Sequence, residues 1–450
     1  MIVWYVVLAL FEKVPAFLVS LVRDSSDAII PAGRNSSSGF PVGSMDPRIE
    51  TSPGKSGRAI GSPGAVGGAT KDRADVQALL SDGGGANVVD LKGAVVGGPG
   101  QLVLDRAGVA LVNVVVSCDG GLAIRAEGCA LEHVTITGVT GDDSVALDIV
   151  ASRFRATECS VTKNAGYGVQ MAGPISAELV ACDVAKNGMH GIYAGGGAQV
   201  LLDQCKVHQN KDLGVLADDR GTMVTIMNGE VTGNHGTGLR ATEGAHVTLT
   251  GLTLSRNTGP TGNGIMADGA GTNVEMNRGK ITRNGGCGVI ATDGARVNLK
   301  DLERLGFNQS HQVWAAGKDT VVQVLGREVS GRLEDNTAQM LQIGSQKDAA
   351  LRVQDGAAVA VSCSMVGSPS AKVARVSGTN SRAEVTKCLI VDTVEAVFSD
   401  PIYNTKTFYD ERERSGVEGP GADAEPIVSP PRRPEGASSV PRPLPEHPGN

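Results

Sequence analysis

Apolar and polar positions in the middle of the chain repeat at a nearly constant interval. The interval is easiest to follow from an asparagine that recurs as Asn164, Asn187, Asn210, Asn234, Asn257, Asn284, Asn308 and Asn336. The steps between them are 23, 23, 24, 23, 27, 24 and 28. Five residues after most of these asparagines stands an aliphatic, usually preceded by glycine: Val169, Ile192, Val215, Leu239, Val289, Val313 and Leu341. Ile265 stands eight after Asn257, which places an insertion of about three positions near Gly259-Pro260-Thr261. Two positions further on comes a small or apolar residue: Ala194, Ala217, Ala241, Ala267, Ala291, Ala315 and Ile343. Two more apolar rows precede the asparagine, one through Leu179, Leu202, Ile226, Leu249 and Met276, the other through Val161, Val184, Val207, Val231, Leu254, Ile281 and Leu333.

Each unit thus holds three short segments of period-two alternation separated by turns. Such alternation predicts strands with one buried face. Helical repeats need ~33–34 residues and helical spacing, which the unit lacks. The leucine-rich pattern L-x-x-L-x-L-x-x-N is also absent. Three strands per unit can wind once around a narrow core, with the next coil stacked about 4.8 Å above. The predicted fold is an all-β, right-handed parallel β-helix solenoid, the hand following the usual crossover preference. Fainter rows extend it outward, through Leu111, Val114, Leu122, Ile124, Val134 and Ile136 before and Val359, Val361, Val373, Val385 and Ile390 after. About 13 coils then fit between positions 85 and 398. Residues 71–80, KDRADVQALL, have helical spacing and are expected to cap the open bottom edge of the stack.

In-register asparagines predict a ladder of side-chain amides along the axis. Cys159, Cys182 and Cys205 each fall five before an asparagine, and Cys363 and Cys388 hold the equivalent place in late coils. Zinc spacing is missing, so these are expected to be a buried row of free thiols. Stacked parallel Cβ vectors suit disulfides poorly. Free thiols slightly favour an intracellular setting, while the apolar start of the chain leaves a secretory route open.

Composition refines this picture. Of 450 residues, 61 are glycine and only 14 are aromatic, which suits many turns around a narrow core. The net charge of −7 disfavours a dedicated nucleic-acid binder. Residues 1–23 are apolar but interrupted by Glu12, Lys13 and Pro15, which fits neither a signal peptide nor a spanning helix; a membrane role is not expected. Residues 1–70 read as this segment plus a Gly/Ser/Pro-rich linker, 71–400 as the solenoid, and 401–450, with ten of the 20 prolines, as a disordered tail. Two tail segments, PPRRP (430–434) and PRPLP (441–445), suit the polyproline II helix that SH3 or WW domains grip.

The Asn-x-x-x-Gly-(Val/Ile/Leu)-x-Ala repeat resembles that of the right-handed parallel β-helix, or pectin-lyase-like, superfamily. The resemblance runs through roughly two thirds of the chain. Members include non-catalytic substrate receptors as well as polysaccharide lyases, hydrolases and epimerases. The repeat residues are core and turn residues, so the resemblance implies the fold and leaves two functional readings open.

The catalytic reading rests on Gly141-Asp142-Asp143 and Met189-His190-Gly191, which are similar to the Asp-Asp and His-Gly motifs of polygalacturonase-type hydrolases. Asp119 precedes Asp142 by one coil length. The resemblance would assign acid and base roles to Asp119, Asp142, Asp143 and His190. Two features depart from that family. His190 lies two coils after Asp143 where the family has one, and the following Arg-x-Lys pair is missing. Asn234-His235-Gly236 shows that His-Gly also arises within the repeat turn. No metal cluster, cofactor motif or P-loop is visible.

The binding reading rests on the one outward residue between each inward aliphatic and alanine. That row runs Gln170, Tyr193, Leu216, Arg240, Met266, Ile290, Trp314, Gln342. From Tyr193 to Trp314 it is large and mostly apolar, a stripe about 24 Å long. Such a stripe suits a protein partner, with polysaccharide as the other candidate. The expected function is accordingly non-catalytic recognition, of protein in the first place, with a carbohydrate-active enzyme as the alternative.

Overall fold

The computed structural model describes residues 69–82, 87–259, 261–326, 341–344, 350–362, 364–367, 374–391 and 402–409. The chain divides into two compact units, Met1–Gly67 and Gly68–Asn450, and every described residue belongs to the second. The linker, the polyproline motifs, Leu333, Asn336 and Cys363 lie outside the described residues.

The described chain is a right-handed parallel β-helix. Twelve strands, one per coil, form one sheet, here called sheet B, from Leu102–Leu104 to Ala374–Ser377. The remaining 22 form a bent sheet, sheet A, to which most coils contribute two short strands. Twelve coils stand against the 13 expected. The aliphatic and alanine rows face inward as predicted, and Val169, Ile192, Val215, Leu239, Ile265, Ala194, Ala217 and Ala241 are all fully buried. Each valine or leucine so buried contributes roughly 1.5–3 kcal/mol. Little room is left for aromatics, and Phe154 is the large exception. The insertion near Thr261 loops out without disturbing the stack, since Ile265 still pairs with Leu239 and Val289.

The corners explain how short strands turn. At the bend of sheet A a single residue adopts positive φ, as at Glu158, Ala181, Gln204 and Asn228. At the second corner, ahead of sheet B, the residue before each ladder asparagine does the same. That asparagine closes the corner. Asn187 Nδ2 donates to Asn210 Oδ1 at 3.0 Å and to the Val161 carbonyl at 3.1 Å, while Asn187 N donates to the same Asn210 Oδ1. The pattern repeats from Asn164 to Asn308. Cys118, Cys129, Cys159, Cys182, Cys205 and Cys287 are buried free thiols. Cys182 and burial together push the Cys159 and Cys205 thiols up.

The ends differ in detail from expectation. Helix α1 spans Arg73–Ser81, its N-terminus capped by Asp72 Oδ1 accepting from Ala74 N at 2.7 Å. Val76 and Leu80 bury against the first coil. At the other end, residues 402–409, which fall in the expected disordered tail, form a strand. It pairs antiparallel with Arg382–Val391 and runs IYNTKTFY, rich in β-branched and aromatic residues that favour strands.

The late coils also correct the sequence register. The repeat predicts Leu341 and Ile343 in the inward rows of sheet B. Instead Leu341–Gly344 joins sheet A, with Gln342 opposite Arg304. The sheet B strand after Val313–Ala316 is Leu351–Gln354. Val313 and Leu351 stand well over one coil length apart, so an insertion breaks the period there. Among the described residues the ladder ends at Asn308, whose Nδ2 donates to Gln312 Oε1 at 2.7 Å.

Candidate functional site

Sheet B lies between the asparagine corner and a third corner made of glycine and acidic turns. Its outward residues stack in strict register: Gln170 beside Tyr193, Tyr193 beside Leu216, and on through Arg240, Met266 and Ile290 to Trp314. The predicted row therefore exists up to Trp314. Beyond it come Arg352 and Arg375, replacing the expected Gln342. Apart from Ile290, which is buried at 9% exposure, each member is half-buried. The Arg352 guanidinium sits 5.0 Å from the Trp314 ring centre, and Trp314 Nε1 donates to Gln354 Oε1 at 3.1 Å. The Tyr193 phenol folds down toward the acidic corner. Burial, then Asp218 and Asp219, push its pKa up to about 12.

The edge of sheet B beside the asparagine corner carries the titratable cluster. Tyr167 and His190 occupy the same position on neighbouring coils, because Gly168 pairs through the His190 carbonyl and Val169 lies opposite Ile192. Their rings meet edge to face, 5.3 Å between centres at 79°. His190 Nδ1 lies 3.3 Å from Asp212 Oδ2, one coil further on. Burial, with Asp143 and Asp212 adding repulsion, raises the Tyr167 pKa. Burial would raise Asp212 too. The close approach of His190 and the positive charge of Arg240 outweigh it, so Asp212 ends below the ordinary carboxylate value.

The four residues that the sequence offers for catalysis are thus only partly gathered. His190 stands in the cluster. Asp142 and Asp143 are exposed in the turn before Val145–Ile149, and Asp143 acts on Tyr167 through its charge. Asp119 is exposed one coil below, its carbonyl accepting from Thr140 N at 3.1 Å. No hydrogen bond or ion pair among the described residues joins the three aspartates to His190. Sequence reasoning misses Tyr167 and Asp212, although each stands about one repeat length from His190 along the chain. Among the described residues no group of three or more His, Cys, Asp or Glu is arranged to hold a metal ion. No described helix is long and apolar enough to cross a membrane.

Comparison with known proteins agrees with this architecture. Residues 149–303 match the family model described as a right handed beta helix region. No curated protein matches the chain. Among solved structures, the A-module of the Azotobacter vinelandii mannuronan C-5 epimerase AlgE6 is similar. It has 14% identity and a TM-score of 0.48, over 72% of this chain and 97% of that one. The AlgE4 A-module of the same organism has 13% identity and a TM-score of 0.39, over 72% and 93%. Pectate lyase Pel9A has 12% identity and a TM-score of 0.34, over 68% and 74%.

Proposed function

We propose that this right-handed β-helix protein acts on an extended polysaccharide laid along sheet B, with Tyr167, His190 and Asp212 as its acid–base group. The observation that carries the reading is the alignment of these three side chains on successive coils at one edge of sheet B. Tyr167 places a phenol O–H beside His190, a group that can donate to a leaving glycosidic oxygen. His190, oriented by the ionised Asp212, suits acceptance of a proton from a sugar carbon or a water molecule. Asp142 and Asp143 stand at the rim as further candidates, and Asp119 below them. The linear face matches a linear polymer, because every coil offers a similar step of about 4.8 Å.

The test is turnover of a polysaccharide panel, read as new reducing ends or unsaturated product. Wild type is compared with Tyr167→Phe, His190→Gln and Asp142→Asn. Loss of a positioned acid or base lowers the rate by about 10²–10⁴-fold. Turnover by wild type that survives both Tyr167→Phe and His190→Gln would remove the assignment.

The apolar members of the outward row, Leu216, Met266, Ile290 and Trp314, favour a second reading, in which the face recognises a partner without chemistry. In that case wild type turns over no polysaccharide. Charge substitutions such as Leu216→Glu and Met266→Glu would then abolish partner capture and leave folding intact.

A further inference from the structure

The third corner carries a cleft, at the edge of sheet B away from the acid–base group. Two residues before each strand that enters sheet A there, the chain turns left-handed. On five successive coils that residue is glycine: Gly197, Gly221, Gly244, Gly271 and Gly294, with φ between 87° and 89°. On the next three coils it is Asp319, Gly356 and Asn380. Asp319 and Asn380 keep the left-handed turn, with φ 63° and 62°, a conformation that aspartate and asparagine tolerate better than most side chains. Two side chains therefore flank a glycine that has none.

The neighbouring row of sheet A repeats the arrangement. His246, Asn273, Arg296, Val321, Ala358 and Arg382 stand opposite one another in turn, and Ala358 is the smallest. The result is a cavity of about 410 Å³, a size that suits a small ligand. Asp319 and Val321 form one wall, Asn380 and Arg382 the other, and Gly356 and Ala358 the floor between them. The walls belong to coils two steps apart, about 9.6 Å. Asp319 and Arg382 are exposed at the rim. No ion pair among the described residues engages either.

We infer that this cleft binds a small zwitterion, its ammonium group against Asp319 and its carboxylate against Arg382. A guanidinium holds a carboxylate through paired N–H donors, and the aspartate answers the ammonium. The two protein charges face each other across the cleft without meeting. A ligand bridges them only if its own charges stand several bonds apart, as at the two ends of an ω-amino acid. Its short apolar chain then lies over Gly356 and the Ala358 methyl, where apolar contact excludes water. A ligand with one charge leaves one wall unanswered, which is the basis of selection. The site shares no residue with Tyr167, His190 and Asp212, so it stands or falls apart from the polysaccharide reading.

The experiment is isothermal titration calorimetry of the full-length protein with 5-aminopentanoate, and with pentanoate and pentylamine, which keep one charge each. The variants are Asp319→Asn, Arg382→Gln and Ala358→Val. Asparagine already serves the left-handed turn at position 380 and valine the same row at position 321, so these changes suit the backbone, and an unchanged unfolding midpoint checks it. The expected result is binding of 5-aminopentanoate at least tenfold tighter than of either singly charged probe. Each charge variant loses at least tenfold, and Ala358→Val, which raises the floor, loses binding as well. No measurable binding of 5-aminopentanoate by the wild type overturns the inference. Equal binding of pentanoate or pentylamine overturns it too, as does wild-type affinity in any of the three variants.

Discussion

The ring of Tyr193 lies across the backbone of Gly195, so that a methyl group at position 195 would overlap the phenol oxygen and stand 2.7 Å from Cζ. Glycine is needed here for room and not for an unusual φ. Gly195→Ala should lift the ring off the strand into solvent. Burial being the largest cause of its raised pKa, the phenol should then titrate closer to its ordinary value, followed by ultraviolet absorbance. In the wild type the raised value means that stability is fully present below about pH 10 and is lost as pH rises toward about 12. The variant should lose less over that interval, and be about 1–3 kcal/mol less stable at neutral pH. An unchanged phenol titration would show that the ring does not depend on Gly195.

Asn210 sits mid-ladder. It accepts from the main-chain and side-chain amides of Asn187 and donates to the Val184 carbonyl and Asn234. Asn210→Ala leaves two buried donors of Asn187 without their acceptor. Each such group costs about 1–3 kcal/mol, so denaturant unfolding should show a loss of roughly 3 kcal/mol. A loss below about 0.5 kcal/mol, the low end for a single hydrogen bond, would mean that the ladder follows the fold without stabilising it.

Helix α1 caps the first coil partly by imitation of a strand. Gln77 Nε2 donates to the Val103 carbonyl at 2.9 Å, and Val103 N donates to Gln77 Oε1 at 2.8 Å. One side-chain amide thereby satisfies an edge peptide group as a neighbouring strand would. Gln77→Ala should cost about 1–2 kcal/mol. Leu80→Asp, which places a carboxylate at a fully buried position, should detach the helix and expose the sheet edge. Size-exclusion chromatography should then show self-association; a monomer of unchanged stability would contradict the capping role.

Asp212 is held below its ordinary pKa by His190 and Arg240 against the effect of burial. Its interactions therefore stabilise the fold above the ordinary carboxylate value and are lost as pH falls through the lowered one. His190→Gln and Arg240→Met should each raise the Asp212 value, measured by carboxyl-carbon NMR. The stability gap between wild type and Asp212→Asn should narrow as pH falls. A gap that stays constant with pH would show that the carboxylate charge contributes nothing.

Register was legible in the sequence because a β-helix repeats itself at nearly constant length. Val169, Ile192 and Val215 can be stacked by counting, and so can the outward row from Tyr193 to Trp314. Tyr167, His190 and Asp212 obey the same count. What hides them is their chemistry: nothing in a tyrosine or an aspartate marks it as facing a histidine one coil away. The motif Gly141-Asp142-Asp143 draws attention by resemblance, yet it stands at the rim. Counting fails after Trp314, where the next strand of sheet B waits until Leu351 and Leu341 passes to sheet A.

The sequence by itself determined the period, the inward rows, the asparagine ladder, the buried thiols and the capping helix, because each follows from side-chain alternation in a fixed repeat. The tertiary structure decided where that repeat is interrupted, since an insertion changes strand partners through backbone hydrogen bonds that no local pattern encodes. It also decided which way Tyr193 lies and what surrounds His190. Those depend on the volume and charge contributed by neighbouring coils.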